Sequence, residues 1–152
     1  MGHEELLVLA RAIATEAHAG QTDKAGAPYI GHPVRVADLV RGHGGSSVQE
    51  AAALLHDVVE DTSLTFDDMA NRGVPDDVVG MVDALTKREG EDYLDAVRRA
   101  QRYPGAELLK RCDLADNLDP IRLARLDATL ADRLRAKYTT ALALLDTPLA
   151  SN

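Results

Sequence analysis

The chain predicts an all-α fold, on three observations. Apolar residues recur at helical spacing in one segment after another, and Gly, Pro and capping residues punctuate those segments. No stretch alternates apolar with polar residues as a half-buried strand would. Aromatics are only 3% while Ala and Leu dominate, so the core is expected to be helix packed on helix. At 152 residues the chain is long enough to bury a full core, and a single domain over residues 1–152 is expected.

The first helix is expected from about Glu4 to Ala19, with Leu6, Ala10, Ile13 and Ala17 on one face and Gly20 as its stop. Residues 20–31 form a polar loop. Pro33 suits the first turn of a second helix, with His32 at or near its cap. His32, Val36, Leu39 and Val40 share a face there, so His32 is expected to turn inward. Ser47 is the expected cap of a third helix that runs through Ala51-Ala-Ala-Leu-Leu-His-Asp-Val-Val-Glu-Asp61. Thr65-Phe-Asp-Asp68 reads as a capping box that opens a short helix ending near Gly73. Pro75-Asp-Asp starts a helix carrying Val78, Val79, Val82 and Leu85. Another spans about Glu91 to Arg102, and Pro104 begins the one bearing Leu108, Leu109 and Asp113. The last helix, roughly Leu130 to Leu145, ends before Pro148.

Within that pattern His56-Asp57 is the anomaly. A carboxylate carried into an apolar helix costs several kcal/mol unless it is paired or binds a metal. Two imidazoles and two carboxylates, from His32, His56, Asp57 and Asp113, would hold a divalent cation and leave coordination positions open. Mixed N/O ligands of this kind suit Mn²⁺ or Fe²⁺, with Mg²⁺ a further candidate, better than a Cys-rich zinc site. An open position lowers the pKa of water bound there and makes it a nucleophile for phosphate chemistry. Glu60 and Asp61 follow one turn after the pair and are candidates to orient or deprotonate that water. Lys24 and Lys110 are the nearby cations for substrate phosphates. Lys110, Asp113 and Asn117 share one helix face, and Asp116 is expected to point elsewhere. His18 and Cys112 are expected to be packed core residues. Arg122 and Arg125 are expected on a solvated face. For Arg98 and Arg99 surface charge is the default, with a secondary grip on phosphates as the sharper alternative.

A net charge of −8 argues against a nucleic-acid backbone as partner, since that contact relies on clustered Lys and Arg. No run approaches the roughly 18 apolar residues that span a bilayer. The single Cys112 and the start Met1-Gly-His-Glu-Glu5, which carries no signal-peptide pattern, lead to an expected cytoplasmic location.

Four segments carry a resemblance to a known family: Ala17-His-Ala-Gly-Gln21, Lys24-Ala-Gly-Ala-Pro-Tyr-Ile-Gly-His-Pro33, Leu54-Leu-His-Asp-Val-Val-Glu-Asp-Thr62 and Lys110-x-x-Asp-x-x-x-Asn117. In order, over roughly Ala17 to Leu126, they resemble the hydrolase domain of RelA/SpoT-type proteins and small alarmone hydrolases, which are HD-domain metal-dependent phosphohydrolases. The resemblance implies a helical HD fold of about seven to nine helices. It implies His32, His56, Asp57 and Asp113 as Mn²⁺ ligands and Glu60 and Asp61 beside the catalytic water. It places Lys24, Tyr29 and Asn117 in a nucleotide pocket. The implied reaction converts ppGpp to GDP and pyrophosphate. Two positions depart from the pattern. Asp23 stands where those hydrolases usually carry an Arg that packs on guanine, and Leu118-Asp-Pro-Ile121 replaces their usual Arg-Thr-Leu run. Two rival readings remain beside it: a hydrolase of another nucleotide or phosphorylated metabolite, and a non-catalytic nucleotide-binding module.

Overall fold

The structure, a computed structural model, describes residues 1–149 and is built of helices. The ten helical segments are α1 (His3–Ala17), α2 (Gly31–Gly42), α3 (Ser47–Leu55), α4 (Val58–Asp61), α5 (Phe66–Asn71), α6 (Asp76–Leu85), α7 (Tyr93–Arg102), α8 (Ala106–Asn117), α9 (Pro120–Leu123) and α10 (Ala128–Asp146). Eight of these are longer than one turn; α4 and α9 have four residues each. The only β pairing among the described residues is an isolated bridge between Thr22 and Pro28. No described helix is long and apolar enough to cross a membrane.

Helix α3 is the centre of the larger core. Every residue from Glu50 to Leu55 is buried, and three of them are Ala51, Ala52 and Ala53. Methyl side chains let α1, α2 and α6 approach α3 closely, and all three pack on it. Ile13, Val36, Leu55 and Val82 fill the space between them. Burying a side chain such as Leu55 contributes about 2 kcal/mol. A smaller cluster joins Val97, Leu114, Ala141 and Leu145 of α7, α8 and α10. Helix α8 serves both, since its Leu109 and Cys112 belong to the larger cluster. Cys112 is therefore the packed residue expected.

The capping box at Thr65 and Asp68 forms as expected, with both reciprocal bonds present. Three local expectations shift. The cap of α3 is Ser46, whose Oγ accepts from Gln49 N–H while Gln49 Oε1 accepts from Ser46 N–H, so Ser47 is the first helical residue. Helix α8 begins at Ala106 because Gly105 adopts φ +89°, a left-handed turn closed against α6; a Cβ there would meet Met81 Cε at 3.1 Å. Residues Pro120–Leu123 form a short helix capped by Asp119, which the apolar pattern is too short to signal.

A fourth correction matters most for function. His56-Asp57 does not sit inside one continuous helix. Helix α3 ends at Leu55, His56 is its C-cap, and Asp57 is the N-cap of α4. Successive helical residues diverge by about 100°, so a regular helix would aim the two side chains apart. At the break Asp57 turns to φ −102° and ψ −2°, and its Oδ2 comes within 3.1 Å of His56 Nε2.

Candidate metal centre

His32 is the second residue of α2, where Pro33 fixes the first turn and Val36 and Val40 hold the same face in the core. Its Nδ1–H donates to Asp116 Oδ2 at 2.7 Å, which leaves Nε2 facing Asp113 Oδ1 at 2.9 Å and Asp57 Oδ2 at 3.6 Å. His56 is arranged alike. Its Nδ1–H donates to the Ala53 carbonyl at 2.6 Å, and its Nε2 lies 3.1 Å from Asp57 Oδ2 and 3.4 Å from Asp113 Oδ1. Neither carboxylate is aligned to bond that nitrogen, so His56 Nε2 is buried without a hydrogen-bond partner. The four side chains named from the sequence thus meet at one point, supplied by α2, the α3–α4 break and α8.

This arrangement fits a divalent cation. Donor atoms of His32, His56 and Asp113 lie within 4.8 Å of one another, and both rings spend their outer N–H on a protein acceptor while the inner nitrogen faces carboxylates. The electrostatics agree. Burial opposes charge on His32, but hydrogen bonds to Asp113 and Asp116 outweigh it and raise the ring to about 9. His56 is likewise held above its usual value, against burial, by the charge of Asp57 and by Asp113. Burial works against ionising Asp113 too, yet the Lys110 charge and both imidazoles hold it well below the usual carboxylate range.

Further groups brace these carboxylates. Tyr29 Oη donates to Asp57 Oδ2 at 2.6 Å, and burial together with the Asp57 charge keeps the phenol protonated. Lys110 Nζ lies 3.0 Å from Asp113 Oδ2, and Asn117 Nδ2 donates to Asp113 Oδ1 at 3.2 Å. Tyr29, Lys110 and Asn117 line the cleft and also orient the proposed ligands.

Asp116 reverses the sequence expectation. Its side chain is 6% exposed, and besides His32 it accepts from Arg35 Nε at 2.9 Å and pairs with Arg122 at 2.8 Å. Arg122 also donates to the Asp116 carbonyl and pairs with Asp119, so it is not on a solvated face. The reason is helical spacing: Asp116 is three residues after Asp113 and shares its face. That spacing, and Arg35 three residues after His32, was the available signal. Arg99 does not reach the cleft as a phosphate grip; it pairs with Glu91 at 2.9 Å and donates to the Thr86 carbonyl at 2.8 Å. Arg98 donates to Gln101 and the Thr147 carbonyl. Arg125 is exposed.

The candidate metal centre lies on the wall of a cleft of about 550 Å³. Glu60 and Asp61 of α4 line it. Burial, then Asp57, raises both carboxyls, and Asp61 reaches about 6 with Glu60 as a further contributor. The Lys87 N–H donates to Glu60 Oε1 at 3.2 Å. The loop before α2 brings Asp23, Lys24 and Tyr29 to the cleft. Asp23 Oδ1 accepts from Ala25 and Ala27 N–H, both at 2.9 Å, so its carboxylate is engaged in shaping the loop. His18 is buried under that loop, its Nδ1 2.7 Å from Gln21 Oε1 and its ring 5.0 Å from that of Tyr29. Lys137 and Tyr138 of α10 also line it; Lys137 did not stand out in the sequence, and Tyr138 did so only as part of the apolar face of the last helix.

Comparison with known proteins gives the family and the fold. The HD domain family matches residues 10–140. A probable guanosine-3′,5′-bis(diphosphate) 3′-pyrophosphohydrolase of Synechocystis is 40% identical over 134 residues, covering 88% of this chain and 16% of that protein. A guanosine-3′,5′-bis(diphosphate) 3′-pyrophosphohydrolase of Aquifex aeolicus is 32% identical over 131 residues, covering 81% of this chain and 19% of that one. The chain therefore spans less than a fifth of either relative. A solved structure of a metazoan ortholog of SpoT, described as hydrolysing ppGpp, shares the fold with a TM-score of 0.73 at 24% identity, covering 92% of this chain and 85% of that one.

Proposed function

This chain belongs to the HD domain family, and on that premise we propose that it hydrolyses guanosine 3′,5′-bis(diphosphate) to GDP and pyrophosphate. The observation that carries the reading is the meeting of His32, His56, Asp57 and Asp113 with His56 Nε2 unpartnered, beside two carboxylates with raised pKa values. The names of the Synechocystis and Aquifex relatives support the substrate.

Those four side chains would hold the cation, and the N/O donor set suits Mn²⁺. When bound, such an ion polarises a phosphoryl group and acidifies water. The rest falls to the chain's own groups. Asp61, with a carboxyl near 6, and Glu60 orient a water molecule and take its proton at neutral pH. The water oxygen bonds to the phosphorus attached to O3′, the P–O3′ bond breaks, and O3′ gains a proton. Lys110 and Lys24 offset phosphate charge. Tyr29 and Asn117 keep Asp57 and Asp113 aimed inward.

The Asp23 loop favours a second reading, hydrolysis of a different nucleotide. With its carboxylate tied to Ala25 and Ala27 N–H, Asp23 offers a guanine no stacking cation at its own position. The purified protein loaded with Mn²⁺ and offered ppGpp, common nucleoside phosphates and NADPH separates the readings. Pyrophosphate release from ppGpp alone supports the first. Turnover of another compound in its place supports the second, and inactivity on all with metal bound leaves a binding module.

A further inference from the structure

Among the described residues the Glu60 side chain has one hydrogen bond, the 3.2 Å contact in which Lys87 N–H donates to its Oε1. Of the groups that favour its ionised form this N–H acts most strongly, ahead of the charges of Lys110 and His56, and it works against burial and Asp57. The donor belongs to the segment that joins α6 to α7, so whatever fixes that segment also fixes Glu60.

The fixing is done at the other end of the same peptide. A trans peptide is planar, with its C=O and N–H pointing in opposite directions. The carbonyl of the Thr86–Lys87 peptide accepts from Arg88 Nη1 and from Arg99 Nη2, both at 2.8 Å, so guanidinium groups engage both its lone pairs. Two cations on the oxygen hold the plane and polarise it, which strengthens the N–H as a donor to Glu60. Arg99 is itself clamped. It meets Glu91 as a two-pronged pair, Nε to Oε2 and Nη2 to Oε1, each at 2.9 Å, and its Nη1 donates to the Ala84 carbonyl at 3.2 Å. Glu91 Oε1 also accepts from Arg88 N–H at 3.0 Å, and these bonds, that of Arg99 first, hold the Glu91 carboxyl down at about 2. Gly90, at φ +74°, makes the turn that returns Glu91 to Arg88. Arg88, Glu91 and Arg99 all lie outside the lining of the cleft, whereas Lys87 is part of it.

We propose that Arg99, locked by Glu91, is a positioning residue for hydrolysis: it sets the plane of the Thr86–Lys87 peptide, and the N–H of that peptide aims the Glu60 carboxylate at the water. The proposal rests on the nucleotide-hydrolase reading above and adds to its site a device outside the cleft. Substrate does not touch Arg99, so its loss is felt in kcat and not in KM.

The test is a double-mutant cycle on the Mn²⁺-loaded protein, assayed with the nucleotide that wild type turns over. Arg99→Ala lowers kcat about tenfold, as loss of one hydrogen bond to a charged group does, and leaves KM and Mn²⁺ affinity as they were. Glu91→Gln, which keeps the side-chain shape, lowers kcat in the same direction by less. Arg98→Ala, on the same helix but bonded to Gln101 and the Thr147 carbonyl, keeps the wild-type kcat. Glu60→Gln lowers kcat, and in that background Arg99→Ala removes no further turnover, because both act through one carboxylate. Losses that multiply in the double variant overturn the proposal. So does full kcat in Glu60→Gln, or in both Arg99→Ala and Glu91→Gln. The Lys87 amide reads the contact without turnover. In ¹H–¹⁵N spectra with Mg²⁺ in place of paramagnetic Mn²⁺, its proton moves upfield in Arg99→Ala as it does in Glu60→Ala. A Lys87 amide that ignores Arg99→Ala overturns the proposal as well. If wild type turns over no compound while the amide responds to both substitutions, the hydrolase reading falls and the coupling of Arg99 to Glu60 stands.

Discussion

The imidazole of His32 donates its Nδ1–H to Asp116 at 2.7 Å, and two arginines, Arg35 and Arg122, hold that carboxylate in place. Fixing the proton on Nδ1 reserves Nε2 for the point where Asp57 and Asp113 converge.

Replacing Asp116 by Asn removes the charge and permits the opposite tautomer. We expect Asp116→Asn to weaken Mn²⁺ binding by about 10- to 100-fold, with Asp116→Glu recovering part of the loss. Calorimetric titration gives the affinity, and ¹⁵N shifts of the His32 ring in the metal-free protein, read above pH 9 where the ring is neutral, give the tautomer. A lower melting temperature with Mn²⁺ affinity and ring shifts intact would mean that Asp116 only supports the fold.

Asp57→Ala and Asp113→Ala each remove an inward carboxylate. Both are expected to lose metal retention and turnover together, read by metal analysis after gel filtration and by pyrophosphate release. Retained turnover in either variant would refute the proposed site.

The Asp61 carboxyl carries a pH signature. Its folded pKa, about 6, exceeds the unfolded value because burial, Asp57 and Glu60 disfavour the charge. Ionised Asp61 therefore costs stability. The cost is absent below the unfolded pKa, about 4, grows as pH rises to 6, and stays constant above. In the metal-free protein Asp61→Asn should raise the urea midpoint at pH 7 to 8, with the gain vanishing near pH 4. The same variant should turn over substrate far more slowly. A pH-independent difference in midpoint would contradict the assignment.

Arg99 ties the start of α7 to the end of α6 through Glu91 and the Thr86 carbonyl. Arg99→Ala should destabilise by about 2 kcal/mol in denaturant titrations, leaving KM as it was. A raised KM would return Arg99 to the phosphate-binding groups.

The all-α class was legible from 3.6-residue periodicity and caps because both are local; the Thr65–Asp68 capping box needs four adjacent residues. His32, His56, Asp57 and Asp113 stood out for a similarly simple reason, since polar residues in apolar surroundings need partners. The break after Leu55 was not legible. Apolar residues continue across it, and no Gly or Pro marks it; the contact between His56 and Asp57 appears only once both side chains aim at one point.

By itself the sequence determined the helical class and singled out His32, His56, Asp57 and Asp113 as polar residues chemically out of place in apolar surroundings. Packing of α2, α3 and α8 decided how they meet. It brought Asp116 to His32 across 84 positions in the chain, and it committed Lys110 to Asp113. Lys137 reached Tyr93 because α10 folds back onto α7 and α8. Spacing along one helix reports a shared face, but which face meets which neighbour depends on how side chains interlock between helices, and that is a property of the folded chain.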